Sequence, residues 1–429
     1  SRKAAERDLA EWTLLSQEND PTIFLGYDQL EADVKLLRYR KVSDKKKTYY
    51  ELVLNQTPFY AEAGGQTGDK GILKNQDQTL EIFDTRKEND LIIHLSQKAP
   101  QEGSNAFKAM VDKENRRMTE NNHSATHLMH HALRKVLGDH VEQKGSLVDA
   151  RHLRFDFSHF QKLTIEEIEE VERMVNRKIR ENAVLDEHRS LQMDEAMEMG
   201  ALAFFGEKYG DHVRVVRFAD SVELCGGTHV SATGQIGFFK IVSESAIAAG
   251  VRRIEAITAD EAEKYIQGLY RTEDELKQML KNPKDLVKGI QSLIEDNKKL
   301  NKQTEVLNRK ISEAMLHDLS GSIEKVGGIK QISARVDADM AVVKNLAFKL
   351  LKDHKDLLVV LASEMDGKAF LTVAAGEELV KNGVHAGDIV KQLAGEIKGG
   401  GGGQPHFATA GGKDPSGLDR ALAKLSSLL

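Results

Sequence analysis

Two pairs of donor residues, each spaced four apart, carry the chemistry that can be read in this chain. His123 and His127 lie in Asn121-Asn122-His123-Ser124-Ala125-Thr126-His127. Residues four apart share a helix face, so on a helix both rings can reach one ion. Far downstream, Cys225-Gly226-Gly227-Thr228-His229 repeats the spacing with a thiol and an imidazole. Three imidazoles and a thiolate are a donor set that suits zinc. Each half also has a plain reading. With His130 and His131 the first is a polar helix face, and Cys225 is a small buried apolar residue. The only cysteine of the chain falls inside this C-x-x-x-H, which shifts the balance toward metal. A metalloprotease helix carries Glu directly after its first His as general base; Ser124 stands there instead, which disfavours that class.

The element that must present His123 and His127 is a long helix expected over Asp112 to Val136. Gly145-Ser146-Leu147-Val148 and Leu153 to Phe157 read as strands beside it, the second alternating cleanly. Thr164 and Glu167 form a capping box for a helix to about Asn182. Val213 to Val215 with Phe218 reads as a strand, with Cys225-Gly226-Gly227 as its turn. Gln235 to Ile241 and Val251 to Ala256 complete an α+β core.

Ahead of this core, residues 1 to about 20 have helical spacing in Ala4, Leu9, Trp12 and Leu15, with Asp20-Pro21 as a stop. Ile23 to Tyr27, Tyr49 to Leu54, Gly71 to Leu73, Leu80 to Phe83 and Leu91 to Leu95 are short strands that predict a small β-barrel. Lys45-Lys46-Lys47 is expected as a solvated turn or a phosphate contact. The glycine-rich loop Ala61 to Asp69 is a tight turn, or a loop that brings Gln66 and Thr67 to a small substrate.

Beyond the core, Leu286, Ile290, Leu293, Asn297, Leu300, Thr304, Leu307 and Ile311 make a heptad seam. Asn282-Pro283 is the expected start of this helix. It forms an antiparallel hairpin or a dimerising coil. After Gly327-Gly328 a last α/β domain has strands at Ile332 to Val336, Leu357 to Leu361 and Ala369 to Val373, with a hairpin turn at Asp366-Gly367. Helices are expected at Ala341 to Lys352, Glu377 to Lys381, Ala386 to Ile397 and from Leu418. Gly399 to Gly403 is either a flexible linker or a run of bare N–H groups for phosphate.

The fold class is therefore a multidomain α+β chain: an N-terminal helix and small β-barrel (1–110), a zinc-containing core (111–257), a helical hairpin or coiled coil (258–320) and a glycine-rich α/β domain (321–429). At 429 residues, 40% apolar and 30% charged, such a chain can bury several cores. One cysteine excludes an internal disulfide and fits a reducing, cytoplasmic setting. No apolar run is long enough to span a bilayer, so no membrane role is expected. Ser1-Arg2-Lys3 has neither an initiator Met nor an apolar leader, which reads as a processed chain or an excised fragment. A net charge of −6 argues against indiscriminate nucleic-acid binding but not against a local basic surface.

Taken together, Asn122 to His127, Gln143-Lys144-Gly145-Ser146, Arg154 to Phe157 and Cys225 to His229 closely resemble the editing domain of alanyl-tRNA synthetases. The 61–69 loop is similar to the barrel of that family, and the coil and glycine-run domain to its C-terminal tRNA-binding part. No stretch resembles the class II aminoacylation core, so the chain looks like the C-terminal half of such an enzyme. The resemblance implies hydrolysis of serine or glycine from mischarged tRNA(Ala). A pocket sized for alanine excludes glycine poorly, and a single sieve yields only ~10–200-fold per methylene-sized difference. It implies His123, His127, Cys225 and His229 as zinc ligands, Gln143 and Cys225 in the editing pocket, and Gln66 or Thr67 as substrate contacts. Arg252 or Arg253 would hold the terminal phosphate or form strand-edge salt bridges. Gly400, Gly401 and Lys398, with Lys349, Lys352, Lys355 and Lys391, are candidate contacts to the tRNA body, and a homodimer through the C-terminal part is one expected assembly. The competing readings are a zinc hydrolase of other esters and a tRNA-binding or oligomerising module with a purely structural zinc.

Overall fold

The structure, a computed structural model, describes residues 8–18, 20–44, 47–89, 91–101, 103, 105–203 and 210–429. Two compact units divide the chain, Ser1–Glu275 and Leu276–Leu429.

The first unit opens with a closed ring of six antiparallel strands. Glu31–Asp44 pairs with Ala106–Val111, then follow Gly71–Lys74, Thr79–Glu88, Leu91–Ser96 and Lys47–Leu54, which returns to Glu31–Asp44. Alternate residues such as Leu52 and Leu54, Leu80 and Ile82, and Phe107 and Ala109 fill the interior. The helix expected at the start is corrected. Asp8–Leu9 and Thr13–Leu14 are strands laid along Glu31–Asp44, with Leu9 opposite Val42 and Thr13 opposite Tyr39. The long strand leaves backbone donors and acceptors to pair, and Trp12 lies under the guanidinium of Arg40 at 4.4 Å. Residues 1–7, and Lys45 and Lys46 of the lysine run, lie outside the described residues.

Behind the barrel, Gln143–Val148, Leu153–Ser158, Val251–Thr258 and Phe239–Ala248 form an antiparallel sheet in that order. The histidine helix Lys113–Leu137 and the helix Ile165–Glu181 pack against it through Leu128, Met129, Leu133, Val171, Val175 and Phe155. Both halves of the Thr164–Glu167 capping box are present, and Asn182 closes that helix in the left-handed region. Two expectations are corrected here. Phe218 turns through Ala219 (φ 54°) into a second strand, Ser221–Leu224, and the Cys225 segment leaves that strand instead. Gln235-Ile236 belongs to a 3-10 turn, Thr233–Ile236, and the strand begins only at Phe239 because Gly237 takes φ 73°.

In the second unit the helix Leu286–Ser320 starts three residues later than Asn282-Pro283 suggested, with Asp285 accepting from Lys288 N–H. Its seam residues Leu293, Leu300 and Leu307 are exposed, whereas Leu319 is buried with Val343 and Leu346. A six-stranded sheet follows, ordered Glu324–Val326, Ile329–Arg335, Leu357–Met365, Lys368–Ala375, Phe407–Gly412, Gly399–Gln404. Leu358 and Val360 face one core while Leu357, Val359 and Leu361 face another, so the strand is apolar on both faces from Leu357 to Ala362. Asp366 and Gly367 (φ 52° and 70°) make the expected hairpin turn. The glycine run is corrected from a flexible linker to an edge strand, paired from Gly399 opposite Gly412 to Gln404 opposite Phe407. A Cβ on Gly401 would stand 2.4 Å from that of Ala410, so side chains are excluded there.

Candidate metal centre and its cavity

Each residue of the histidine motif has a defined partner. Asn122 donates to Asp149 C=O (2.8 Å) and accepts from Thr258 Oγ1 (2.8 Å), fixing the helix over the sheet. Ala125 is in the core. Ser124 Oγ accepts from Val230 N–H and lies 3.1 Å from His229 Nδ1, tying the helix to the Cys225 segment. His123, His127, Cys225 and His229 thereby converge, each with a donor atom within 4.8 Å of the others. Cys225 Sγ is 3.5 Å from His123 Nε2 and 3.3 Å from His229 Nε2. Ligands of a tetrahedral zinc ion stand roughly 3.5 Å apart at ordinary bond lengths, so the donor set fits that metal in both chemistry and spacing. Gly227 is required: a Cβ there would meet His123 Cε1 at 2.1 Å.

Outer contacts set which nitrogen of each ring is available. Gln66 Oε1 accepts from Thr228 N–H at 2.9 Å and lies 2.7 Å from His123 Nδ1, while Gln66 Nε2 donates to Thr228 Oγ1. An acceptor at Nδ1 places the proton there and leaves the Nε2 lone pair facing Cys225. Glu223, fully buried, has Oε1 2.8 Å from His130 Nδ1 and Oε2 3.4 Å from His127 Nε2. Burial pushes His123 and His229 well below the usual imidazole range, and lowers His127 against the opposing pull of Glu223. All three are neutral donors at pH 7.

The 61–69 loop joins the barrel to this helix. Gly64 and Gly65 (φ 56° and 86°) make the tight turn, with Ala63 and Gln66 exchanging backbone hydrogen bonds. A Cβ on Gly68 would strike Thr85 C=O at 1.9 Å. Asp69 accepts from Tyr60 N–H and from the fully buried Arg116 of the histidine helix, which also donates to Gly26 and Pro58 C=O (2.8 and 3.0 Å). Glu120, one turn on, is pushed up to about 7 by burial, against the pull of Arg116.

A cavity of about 520 Å³ opens beside the cluster. His123, His127, Cys225, Gln143, Thr126 and Ser146 line it, with Tyr60, Lys87, His212 and Arg214 at other walls. Burial holds the Tyr60 phenol above its ordinary value, so it stays neutral. Arg214 lies over the Tyr27 ring at 4.1 Å and donates to Cys225 and Gly227 C=O (2.6 and 2.7 Å), while Tyr27 donates to Gly226 C=O. Side chains thus hold all three carbonyls of the Cys225 turn.

The structure sorts the expected site residues. Gln143 and Cys225 line the cavity. Gln66 is corrected from a substrate contact to a support behind His123, and Thr67 is outside the cavity lining, its N–H bonded to Val148 C=O. Arg252 and Arg253 are corrected to the strand-edge salt bridges: Arg252 pairs with Glu244, and Arg253 with both oxygens of Asp156 (2.6 and 2.8 Å). Gly400 and Gly401 lie on the edge strand, and Lys398 is 3.1 Å from Asp414. Sequence reading missed Glu223, Arg214 and Tyr27, which have no local spacing signal because their partners His130, Glu187 and Gly226 are far along the chain; Thr126 lay inside the histidine motif but was given no role of its own.

Three family models match. "Threonyl and Alanyl tRNA synthetase second additional domain" covers residues 213–255, "DHHA1 domain" residues 328–429 and "tRNA synthetases class II (A)" residues 1–115. In this chain the segment matched by the last model contains the barrel. The chain is 49% identical over 432 residues to an alanine–tRNA ligase of Christiangramia forsetii, matching 100% of this chain and 50% of that protein. Proteins of the same name from Bacteroides fragilis and Cytophaga hutchinsonii are each 48% identical, over 100% of this chain and 49% of theirs. The chain thus spans about half the length of these relatives. Among solved structures, the C-Ala domain from Aquifex aeolicus alanyl-tRNA synthetase matches 25% of this chain and 96% of that chain, at 27% identity and a TM-score of 0.24.

Proposed function

We propose, for a chain homologous along its whole length to the C-terminal half of alanine–tRNA ligases, that its first unit is an editing hydrolase releasing serine or glycine from mischarged tRNA(Ala). The observation that carries the reading is the convergence of His123, His127, Cys225 and His229 beside a cavity walled by Gln143, Thr126 and Ser146. Water adds to the ester carbonyl carbon, the ester C–O bond breaks, and the ribose oxygen leaves with a proton, freeing the amino acid and an intact 3′ end. When bound, zinc supplies polarisation of a carbonyl or acidification of a water. Gln143, neutral at every pH, orients substrate or water but carries no proton. Thr126 donates its own proton to Asn122 C=O (2.8 Å), so its oxygen only accepts. That acceptor suits a serine hydroxyl, which alanine lacks.

A second reading is favoured by one observation: four protein donors close a tetrahedral sphere, the mark of a structural ion. In that case the chain binds tRNA or oligomerises without hydrolysis. Comparing release of serine from Ser-tRNA(Ala) with release of alanine from Ala-tRNA(Ala) separates the two, since only the hydrolase acts and only on the first.

The second unit is proposed to hold the tRNA body. Lys355, Lys391 and Lys398 each have a carboxylate within 3.7 Å, which leaves Lys349 and Lys352 as the stronger phosphate contacts. Their replacement by alanine should weaken tRNA binding and flatten its salt dependence; unchanged affinity and slope would remove this role.

A further inference from the structure

The chain carries more acidic than basic side chains, 67 against 61, yet the described walls of the cavity include no carboxylate. Their charged or ionisable members are Lys87, Arg214, His212 and the cluster itself, with the neutral phenol of Tyr60. Such a wall selects an anionic ligand.

The three outer groups are not equally available. Arg214 is nearly buried, with Nε 2.6 Å from Glu187 and Nη1 on two backbone carbonyls. His212 faces Ser190 and Gln192 at 3.2 and 3.1 Å. Lys87 is exposed, near the end of the barrel strand Thr79–Glu88, and has no ion pair among the described residues. The acids flanking it face other cations: Asp84 pairs with Arg86 at 2.7 Å, and Glu88 reaches Arg40 at 3.7 Å. Among the described residues, Lys87 is therefore the cation of this acid-free wall that has no ion pair.

We infer that Lys87 holds a phosphodiester oxygen of the single-stranded nucleic-acid end whose ester enters the cavity. The inference rests on the editing reading for the identity of that strand. It moves the phosphate contact from Arg252 and Arg253, both in strand-edge ion pairs, to the barrel. The barrel then does more than support His123: one strand end contacts the backbone of the substrate while the 61–69 loop fixes the ligand cluster.

The full chain is titrated with the trinucleotide cytidylyl-cytidylyl-adenosine, with adenosine and with inorganic phosphate, over a range of KCl concentrations. Wild type, Lys87→Ala and Lys74→Ala, the last an exposed barrel lysine outside the cavity lining, are compared. Lys87→Ala should weaken trinucleotide binding roughly tenfold and reduce its salt slope by about 0.7, leaving adenosine binding as in wild type. Lys74→Ala should match wild type throughout. Equal trinucleotide affinity and slope for wild type and Lys87→Ala would overturn the inference. So would a wild type that binds trinucleotide no better than adenosine. An effect of Lys87→Ala on inorganic phosphate as large as on trinucleotide would make it a free-phosphate site and overturn the nucleic-acid assignment. Serine release by wild type tests the editing reading separately. Release with a Lys87-insensitive trinucleotide discards only this contact, and a Lys87-sensitive trinucleotide without release leaves the contact standing.

Discussion

Gln66 Oε1 lies 2.7 Å from His123 Nδ1, joining the barrel to the candidate metal centre across 57 positions of sequence. The same oxygen accepts from Thr228 N–H, beside Cys225 and His229. One buried amide therefore sets the tautomer of one metal-facing ring and the path of the segment that brings two more donors. Gln66→Ala leaves both groups without an acceptor. It should weaken zinc affinity by about 10–100-fold and lower stability by about 1–3 kcal/mol. Competition with a colorimetric chelator and urea denaturation measure the two effects; wild-type zinc affinity would remove Gln66 from this role.

The Arg116–Asp69 pair is buried at both ends and holds the histidine helix on the barrel. Removing one partner strands the other charge. Asp69→Ala should cost roughly 3–5 kcal/mol, and the double change Asp69→Leu with Arg116→Met much less than the sum of its parts. Denaturation midpoints of the three variants check this; simple additivity would contradict it.

His94 is enclosed in the barrel, 2.7 Å from Thr57 Oγ1, and burial lowers it to about 4 from an ordinary 6.5. The unfolded chain binds this proton more readily than the folded one. The stability due to a neutral His94 is therefore complete above pH 6.5 and lost as pH falls toward 4, by up to about 3 kcal/mol. Denaturation of His94→Gln at pH 7.5 and pH 4.5 should show a smaller acid loss than wild type, and an equal loss would refute the assignment.

Thr126 is a cavity-wall hydroxyl whose proton is already committed, to Asn122 C=O. Thr126→Val keeps its shape and removes the acceptor. Release of serine from Ser-tRNA(Ala) should fall by about tenfold while release of glycine from Gly-tRNA(Ala) changes less. Parallel loss of both would assign Thr126 to folding rather than to selection.

The donor pairs and their helix were legible because helical spacing is local: His123, His127 and the Thr164–Glu167 box depend on neighbours three or four residues away. Residues whose role depends on distant chain were not. Leu9 and Trp12 fit a helix or a strand equally well, and the long strand Glu31–Asp44 decided the matter. Gly399 to Gly403 lacked any side-chain pattern, so its pairing with Phe407–Gly412 left no trace in composition. Gln66 sat in a recognisable loop, but a sequence cannot show that its amide turns inward to His123 rather than outward to substrate. Arg252 and Arg253 had two readings, and Glu244 and Asp156 supplied the partners that decided between them.

The most direct test follows zinc content and deacylation together in wild type and Cys225→Ala, each with and without a chelator. Expected are about one zinc per wild-type chain, release of serine but not alanine from tRNA(Ala), and loss of both metal and release in Cys225→Ala and after chelation. Serine release that persists at full rate in zinc-free Cys225→Ala protein would contradict this expectation.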